Sequence, residues 1–246
     1  MNDLQVWLAP EALVDVPGVP ALLESLLPAE EVARLADFRA DAPRRLHLLA
    51  RGMQRAMLSR LVPGVAPRDW RFDRSDAGRP SLSRAHGLDV DFNLAHTRGL
   101  VVMAAGRRVQ LGIDVERFER RRSLEIARRY FSAREIAAFE ALPADAQPRR
   151  FVELWTLKEA YLKAIGTGIA GGLGSMTFDW RGTEIRFERE SDPDAQRWRF
   201  RQWPWGDDHL LALAWLAPGD VKLAWREITA ADLEAAASGQ EQRSQA

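Results

Sequence analysis

Two carboxylates stand at alternate positions in the segment Leu111-Gly112-Ile113-Asp114-Val115-Glu116. Side chains along an extended strand point to opposite faces with a period of two, so Leu111, Ile113 and Val115 share a core-facing side and Asp114 and Glu116 project together from the other. Paired carboxylates repel unless a proton or a cation sits between them. A hard divalent cation such as Mg²⁺ takes oxygen ligands, commonly one or two carboxylates completed by water and substrate phosphates. The plainer alternative is an acidic strand face turned to solvent. A second cluster lies in Phe151-Val152-Glu153-Leu154-Trp155-Thr156-Leu157-Lys158-Glu159-Ala160-Tyr161-Leu162-Lys163. Leu154, Leu157, Tyr161 and Ile165 make an apolar helical stripe, while Glu159 and Lys163, one turn apart, share a face. That pair reads either as a routine surface ion pair or as a third carboxylate with an ammonium beyond it to meet phosphate. His96 ends Phe92-Asn93-Leu94-Ala95-His96-Thr97 and is followed by Arg98. It is either a hydrogen-bonded structural residue or, beside a hydroxyl and a cation, a phosphate ligand. The turn Gly78-Arg79-Pro80 offers another cation on a loop.

These groups need elements to hold them. The first 65 residues read as a short strand, Leu4 to Leu8, followed by helices. Pro28-Ala29-Glu30-Glu31 opens one helix, and Arg44 to Leu61 carries Leu46, Leu49, Met53, Met57 and Leu61 on one face until Pro63-Gly64 stops it. Strand-like pieces follow at Trp70 to Phe72, Val90 to Ala95, Leu100 to Ala105 and Val109 to Glu116, the last two expected to form a hairpin broken at Gly106. The second half repeats the order: a helical pattern from Leu124 to Leu142 with a capping box at Ser132 and Glu135, a helix Phe151 to Ile165 ended by a glycine-rich loop, then five strands from Met176 to Ile228 and a short helix. Helices then strands, twice over, predict an α+β fold of two similar halves, 1–116 and 117–246, related by duplication with a cleft between them. The tail from about residue 238 is expected to be disordered.

Composition narrows the classes. In 246 residues, 46% hydrophobic and 28% charged, the chain can bury a substantial core and is not disordered by composition. Formal net charge is zero, which offers no general attraction to nucleic acid or an anionic membrane. The longest apolar run, Leu210 to Ala217, is far too short to span a bilayer, and Met1 to Pro10 does not read as a secretory signal. With no cysteine there are no disulfides, thiolate metal sites or cysteine nucleophiles, and cytoplasm is the default compartment. Arginines outnumber acids from Arg117 to Arg134, including Arg120-Arg121-Arg122, as a solvated face or as a patch for an acidic partner. Lys158 and Lys163 are two of only three lysines among 35 basic residues.

The turn with a cation, the strand-end histidine, the paired carboxylates, Tyr130-Phe131-Ser132-Ala133-Arg134-Glu135 and Trp155-Thr156-Leu157-Lys158-Glu159-Ala160-Tyr161-Leu162-Lys163 occur in one order. In that combination the chain resembles the 4′-phosphopantetheinyl transferases of the two-half, Sfp-like type, most closely over about residues 75–180. The resemblance implies coenzyme A bound in the cleft, with Asp114, Glu116 and Glu159 holding Mg²⁺ on its pyrophosphate. It implies that His96 contacts the 3′-phosphate with help from the Arg79 turn, that Lys163 meets the pyrophosphate, and that Lys158 belongs to the same motif. Glu135 matches a carboxylate that assists deprotonation. The family often has a serine where this chain has Ala95, a gap for which Thr97 can compensate. An amino-terminal arginine for the 3′-phosphate is expected at Arg45, with Arg44 and Arg51 close by.

The implied reaction moves phosphopantetheine from coenzyme A to a serine of an acyl or peptidyl carrier protein and releases 3′,5′-ADP. Glu159, Glu135 or a metal-bound water takes the serine proton. The carrier is expected to dock on the arginine-rich stretch, and two fused halves make a monomer the expected state. Two other readings use the same residues. One is a Mg²⁺-dependent hydrolase of nucleotides or coenzyme A, and the other is a non-catalytic module that binds carrier proteins.

Overall fold

The computed structural model describes residues 2–75, 78–118, 124–168 and 172–238. Strand β1 (Asn2–Pro10) is followed by helices α1 (Val19–Ser25), α2 (Ala29–Arg34) and α3 (Asp41–Leu61), the short strands β2 (Phe72–Arg74) and β3 (Pro80–Leu82), and then β4 (Val90–Thr97) and β5 (Leu100–Arg107). The plan then recurs. Strand β6 (Gln110–Arg117) leads to α4 (Leu124–Tyr130), α5 (Ala133–Glu140) and α6 (Gln147–Ile165), the short pair β7 (Thr177–Arg181) and β8 (Glu184–Glu188), and β9 (Arg199–Trp205) with β10 (His209–Leu216). The two principal sheets have corresponding orders, β1-β5-β4 and β6-β10-β9, and each half has its own two-stranded ribbon. This is the α+β duplication that the element order predicts.

Three apolar layers hold the halves. The long helix α3 buries Leu49, Met53 and Met57 completely against the first sheet, and α6 does the same with Leu157, Ala160 and Leu162 against the second. Where the sheets face each other, Leu4, Val6 and Leu8 of β1 and Val102 of β5 pack with Leu111, Ile113 and Val115 of β6 and Leu213 of β10. Each such side chain removed from water contributes about 1.5–3 kcal/mol. The last strand, β11 (Val221–Glu227), departs from the repeat. It runs back to pair in parallel with β1, from Asn2 with Val221 to Leu8 with Glu227, and α7 (Ala230–Ser238) then packs near α1 and α3.

The expected hairpin between the third and fourth strand-like pieces does not form. Strand β5 pairs with β1 and β4, whereas β6 pairs with β10. The chain turns out of one sheet into the other at Arg108, the one non-glycine residue with positive φ (51°) among those described. Two β4 side chains then do the work of a neighbouring strand. Leu111 N–H donates to Asp91 Oδ2 and Ile113 N–H to Asn93 Oδ1, each at 2.9 Å. These two backbone donors of β6 are thus satisfied without a β5 ladder. No helix among the described residues is long and apolar enough to cross a membrane.

Candidate functional site

The alternation along β6 sorts its side chains as the sequence implies, but the acidic face is not turned to solvent. Asp114 and Glu116 are 6% and 8% exposed, and helix α6 lies across β6 on their side. Gly112 makes this possible: a Cβ there would stand 2.1 Å from Ala160 O and 2.4 Å from Ala164 N. Gln110 fastens the same crossing by donating from Nε2 to Ala164 O at 3.1 Å. Helix α6 ends at Ile165, capped by Gly166 with a left-handed φ of 72°. The close crossing carries Lys163 onto the strand, where its Nζ lies 2.6 Å from Asp114 Oδ1 and 3.3 Å from Ile113 O. The other carboxylate oxygen, Asp114 Oδ2, is buried with no hydrogen-bond partner among the described residues. Glu159 is half-buried on the helical face it shares with Lys163, one turn earlier. The described residues contain no group of three His, Asp or Glu side chains already gathered as a metal cage.

A cavity of about 800 Å³ opens on the first half, between α3 and β4. Helix α3 brings Leu46, His47 and Arg51 to its lining, β4 and the turn after it bring Phe92, His96 and Arg98, and Phe38 adds a further apolar side chain. His96 is the link to the carboxylate site. Loss of hydration first, and then the nearby charge of Lys163, hold its imidazole below its ordinary pKa. Asn93 lines the same cavity while its Oδ1 accepts from Ile113, next to Asp114.

Other expected site residues are placed differently. Arg79 spans the joint between the halves: its Nη2 donates to both Asp91 oxygens at 2.8 and 2.9 Å and to Leu111 O at 3.0 Å. Asp91, mostly buried, is pushed above the ordinary aspartate range by burial, which Arg79 opposes. Thr97 closes the last rung of β4 opposite Leu100, and its neighbours His96 and Arg98 form the cavity wall. Ala95 faces the opposite way, 5% exposed in the layer between the sheets. Arg45 lies on α3 but points to Asp15, with Nη2 2.5 Å from Oδ1. Arg51 is the α3 arginine on the cavity wall.

Glu135 and Lys158 form a closed unit. The capping box is present, with Ser132 N–H donating to Glu135 Oε2 at 2.8 Å and Glu135 N–H to Ser132 Oγ at 3.3 Å. Glu135 Oε1 also accepts from Phe178 N–H at 2.8 Å. Lys158, fully buried, places Nζ 2.7 Å from Glu135 Oε2 and donates to Leu173 O and Met176 O at 2.7 and 2.8 Å. Burial pulls the Lys158 ammonium below its usual pKa, against the attraction of Glu135. With every donor and acceptor engaged, this pair ties α5 and α6 to β7. Of the arginine-rich stretch, Arg120-Arg121-Arg122 lies outside the described residues. Arg128 and Arg134 pair with Glu140 and Glu188 at 2.7 and 2.6 Å.

Sequence reading missed His47. The signal was a polar stripe, His47, Arg51 and Gln54, spaced four and three apart along one helix. Arg51 is held on the cavity wall by Glu31, at 2.6 and 3.0 Å, and Glu31 also receives Arg55 at 2.6 Å. Burial alone would raise Glu31, but the hydrogen bonds and charges of the two arginines overrule it and lower its pKa from 4.5 to about 2. A lowered carboxylate pKa contributes stability above about pH 4.5 that is lost as pH falls towards about 2. The contribution is on the order of 3 kcal/mol. Acid unfolding followed by circular dichroism should therefore be less steep in this window for Glu31→Gln than for the native chain.

Residues 110–214 match the family described as the 4′-phosphopantetheinyl transferase superfamily, and residues 20–108 match its amino-terminal counterpart, 4′-phosphopantetheinyl transferase, N-terminal. The Synechocystis protein slr0495, whose name places it with the 4′-phosphopantetheinyl transferases, is 29% identical over 218 residues, covering 86% of each chain. The 4′-phosphopantetheinyl transferase HetI of Nostoc is 37% identical over 150 residues, 60% of this chain and 63% of that one. A phosphopantetheinyl transferase of Thraustochytrium is 28% identical over 233 residues, 87% of this chain and 80% of its own. The two matched segments divide where β5 hands over to β6, and together they take in both the cavity wall and the crossing of α6 on β6. The chain belongs to the 4′-phosphopantetheinyl transferase superfamily.

Proposed function

We propose that the protein transfers 4′-phosphopantetheine from coenzyme A to a serine of an apo acyl or peptidyl carrier protein, with Mg²⁺ held by Asp114, Glu116 and Glu159. The observation that carries this reading is the crossing at Gly112. It sets an ammonium against a buried carboxylate next to a cavity lined by both apolar and basic side chains. The residues fit a hard cation, because the donor set is all oxygen and Asp114 Oδ2 is buried without a hydrogen-bond partner among the described residues. When bound, the ion supplies charge stabilisation on the pyrophosphate.

The chain's own groups account for the rest. The nucleotide end of coenzyme A occupies the cavity, with its base against Phe38 and Leu46 and its 3′-phosphate towards His96 and Arg51. The serine oxygen attacks the β-phosphorus, and the bond from that phosphorus to the bridging oxygen breaks, releasing 3′,5′-ADP. Lys163 stabilises the negative charge that grows on the departing phosphate. In this reading Glu159 or a metal-bound water takes the serine proton, and Glu135 is the less suited of the three candidates because both of its oxygens already accept hydrogen bonds. The reading includes a monomer in the cytoplasm, in which two fused halves make one site.

Intact-mass spectrometry of an apo carrier protein incubated with the enzyme, coenzyme A and Mg²⁺ should show the addition of one phosphopantetheine. Cleavage of coenzyme A at the same rate without carrier would favour the hydrolase reading instead.

A further inference from the structure

We infer that His47 is a specificity-determining residue of the cavity, which together with His96 recognises the 3′-phosphate monoester of coenzyme A and takes up a proton when that phosphate binds. The inference rests on the proposed use of coenzyme A and adds to it a second imidazole, from the opposite wall.

The geometry begins with α3. His47 lies one turn before Arg51 on the stripe that faces the cavity, with its ring 5.0 Å from that of Phe38. His96 comes from the end of β4 across the same space, close enough for its charge to disfavour that of His47. The charged groups that face His47 among the described residues come from four parts of the first half. Arg51 is on its own helix, Glu31 on α2, His96 and Arg98 on β4 and the turn after it, and Glu11 just beyond β1. Three of these, Arg51, Glu31 and Glu11, are already engaged. Arg51 is gripped by Glu31 and by Gln54 Oε1, and Glu11 Oε2 accepts from Gly99 N–H at 3.0 Å.

The charge left for a ligand is therefore smaller than the arginine count implies. A phosphate monoester carries close to two negative charges at neutral pH and presents three strong acceptor oxygens. Burial first, and then the charge of Arg51, lower the pKa of His47, with Glu31 opposing. Partial loss of hydration and the charge of Lys163 do the same to His96, whose side chain remains open to the cavity. Both rings thus favour the neutral form in the free protein, and a dianion between them supplies the field that makes protonation favourable. Each ring can then give a charge-assisted hydrogen bond, worth more than a neutral one. The pyrophosphate arm, an anhydride esterified at both ends, has one ionisation per phosphorus and lacks the second that drives this uptake, so the site selects for a terminal monoester.

The test is calorimetric titration of the full-length protein with coenzyme A and with 3′-dephospho-coenzyme A, in buffers of different ionisation enthalpy, between about pH 6 and about pH 8. The native chain should prefer coenzyme A and take up protons on binding it. His47→Gln should reduce the preference by about 10-fold, as expected for one charge-assisted hydrogen bond, and should lower the proton uptake. Binding of the dephospho form should stay unchanged. His47→Arg, which carries a permanent charge, should keep much of the preference and lose the proton uptake that His47 supplies. Full preference and full uptake in His47→Gln would overturn the inference while leaving the proposed function intact. Equal affinity of the native chain for the two ligands would overturn the assignment of the cavity, and the inference with it.

Discussion

Replacing Lys158 with methionine should destabilise the protein by about 3–5 kcal/mol, the usual cost of breaking one side of a buried ion pair. The ammonium is fully buried and serves three oxygens at once: Glu135 Oε2, Leu173 O and Met176 O. Without it the two carbonyls lose their donor, and the Glu135 carboxylate stays in the core with only two backbone N–H groups to hold it. The effect is local in origin but wide in consequence, because the pair joins α5, α6 and β7. Urea denaturation measures it directly, and transfer activity per folded molecule should change little. A variant that melts normally yet fails to transfer would instead put Lys158 at the substrate. The family resemblance groups Lys158 with Lys163, but the two lysines occupy opposite environments. Lys158 is sealed, while Lys163 is 28% exposed and set against Asp114.

Asp114→Asn should have the largest effect on turnover, a loss of about 10²–10³-fold, comparable with removing a preorganised group that stabilises transition-state charge. Stability should be unchanged or slightly raised. A buried carboxylate with one oxygen lacking a hydrogen-bond partner is held in the fold at a cost, and the amide keeps the shape without the charge. Pre-steady-state transfer to a carrier protein together with a thermal melt separates the two effects. Full transfer by Asp114→Asn would remove Asp114 from the metal site. Loss of both folding and transfer would mean that its partnership with Lys163 is chiefly structural.

What could be read from the chain depended on how local the signal was. The period of two along Leu111 to Glu116 was enough to place Asp114 and Glu116 on one face, because strand geometry acts from one residue to the next. The capping box of Ser132 and Glu135 was legible for the same reason. Even so, spacing alone could not show that Glu135 also receives Phe178 N–H and Lys158 from distant elements. The meeting of Lys163 with β6 was invisible locally. It depends on Gly112 having no side chain, so that the backbone of α6 can rest on the strand. The mistaken hairpin arose because β5 and β6 are adjacent in sequence and both apolar. What separates them is a pair of side chains, Asp91 and Asn93, standing in for a strand. Between Arg45 and Arg51 only the direction of the helix face decides, and that is set by the packing of α3 on the sheet.

The parallel pairing of β11 with β1 bears on how the chain comes into being. As the polypeptide emerges from the ribosome, β1, β5 and β4 can assemble early, since everything they need has already been made. One side of β1 stays an open edge until the last segment arrives, and an open edge is a template for unwanted pairing. Contacts between segments so far apart in the sequence are also slow to form. The first half is therefore built first and finished last, and the arrival of the carboxy-terminal strand marks the point at which the opening strand ceases to be an aggregation hazard.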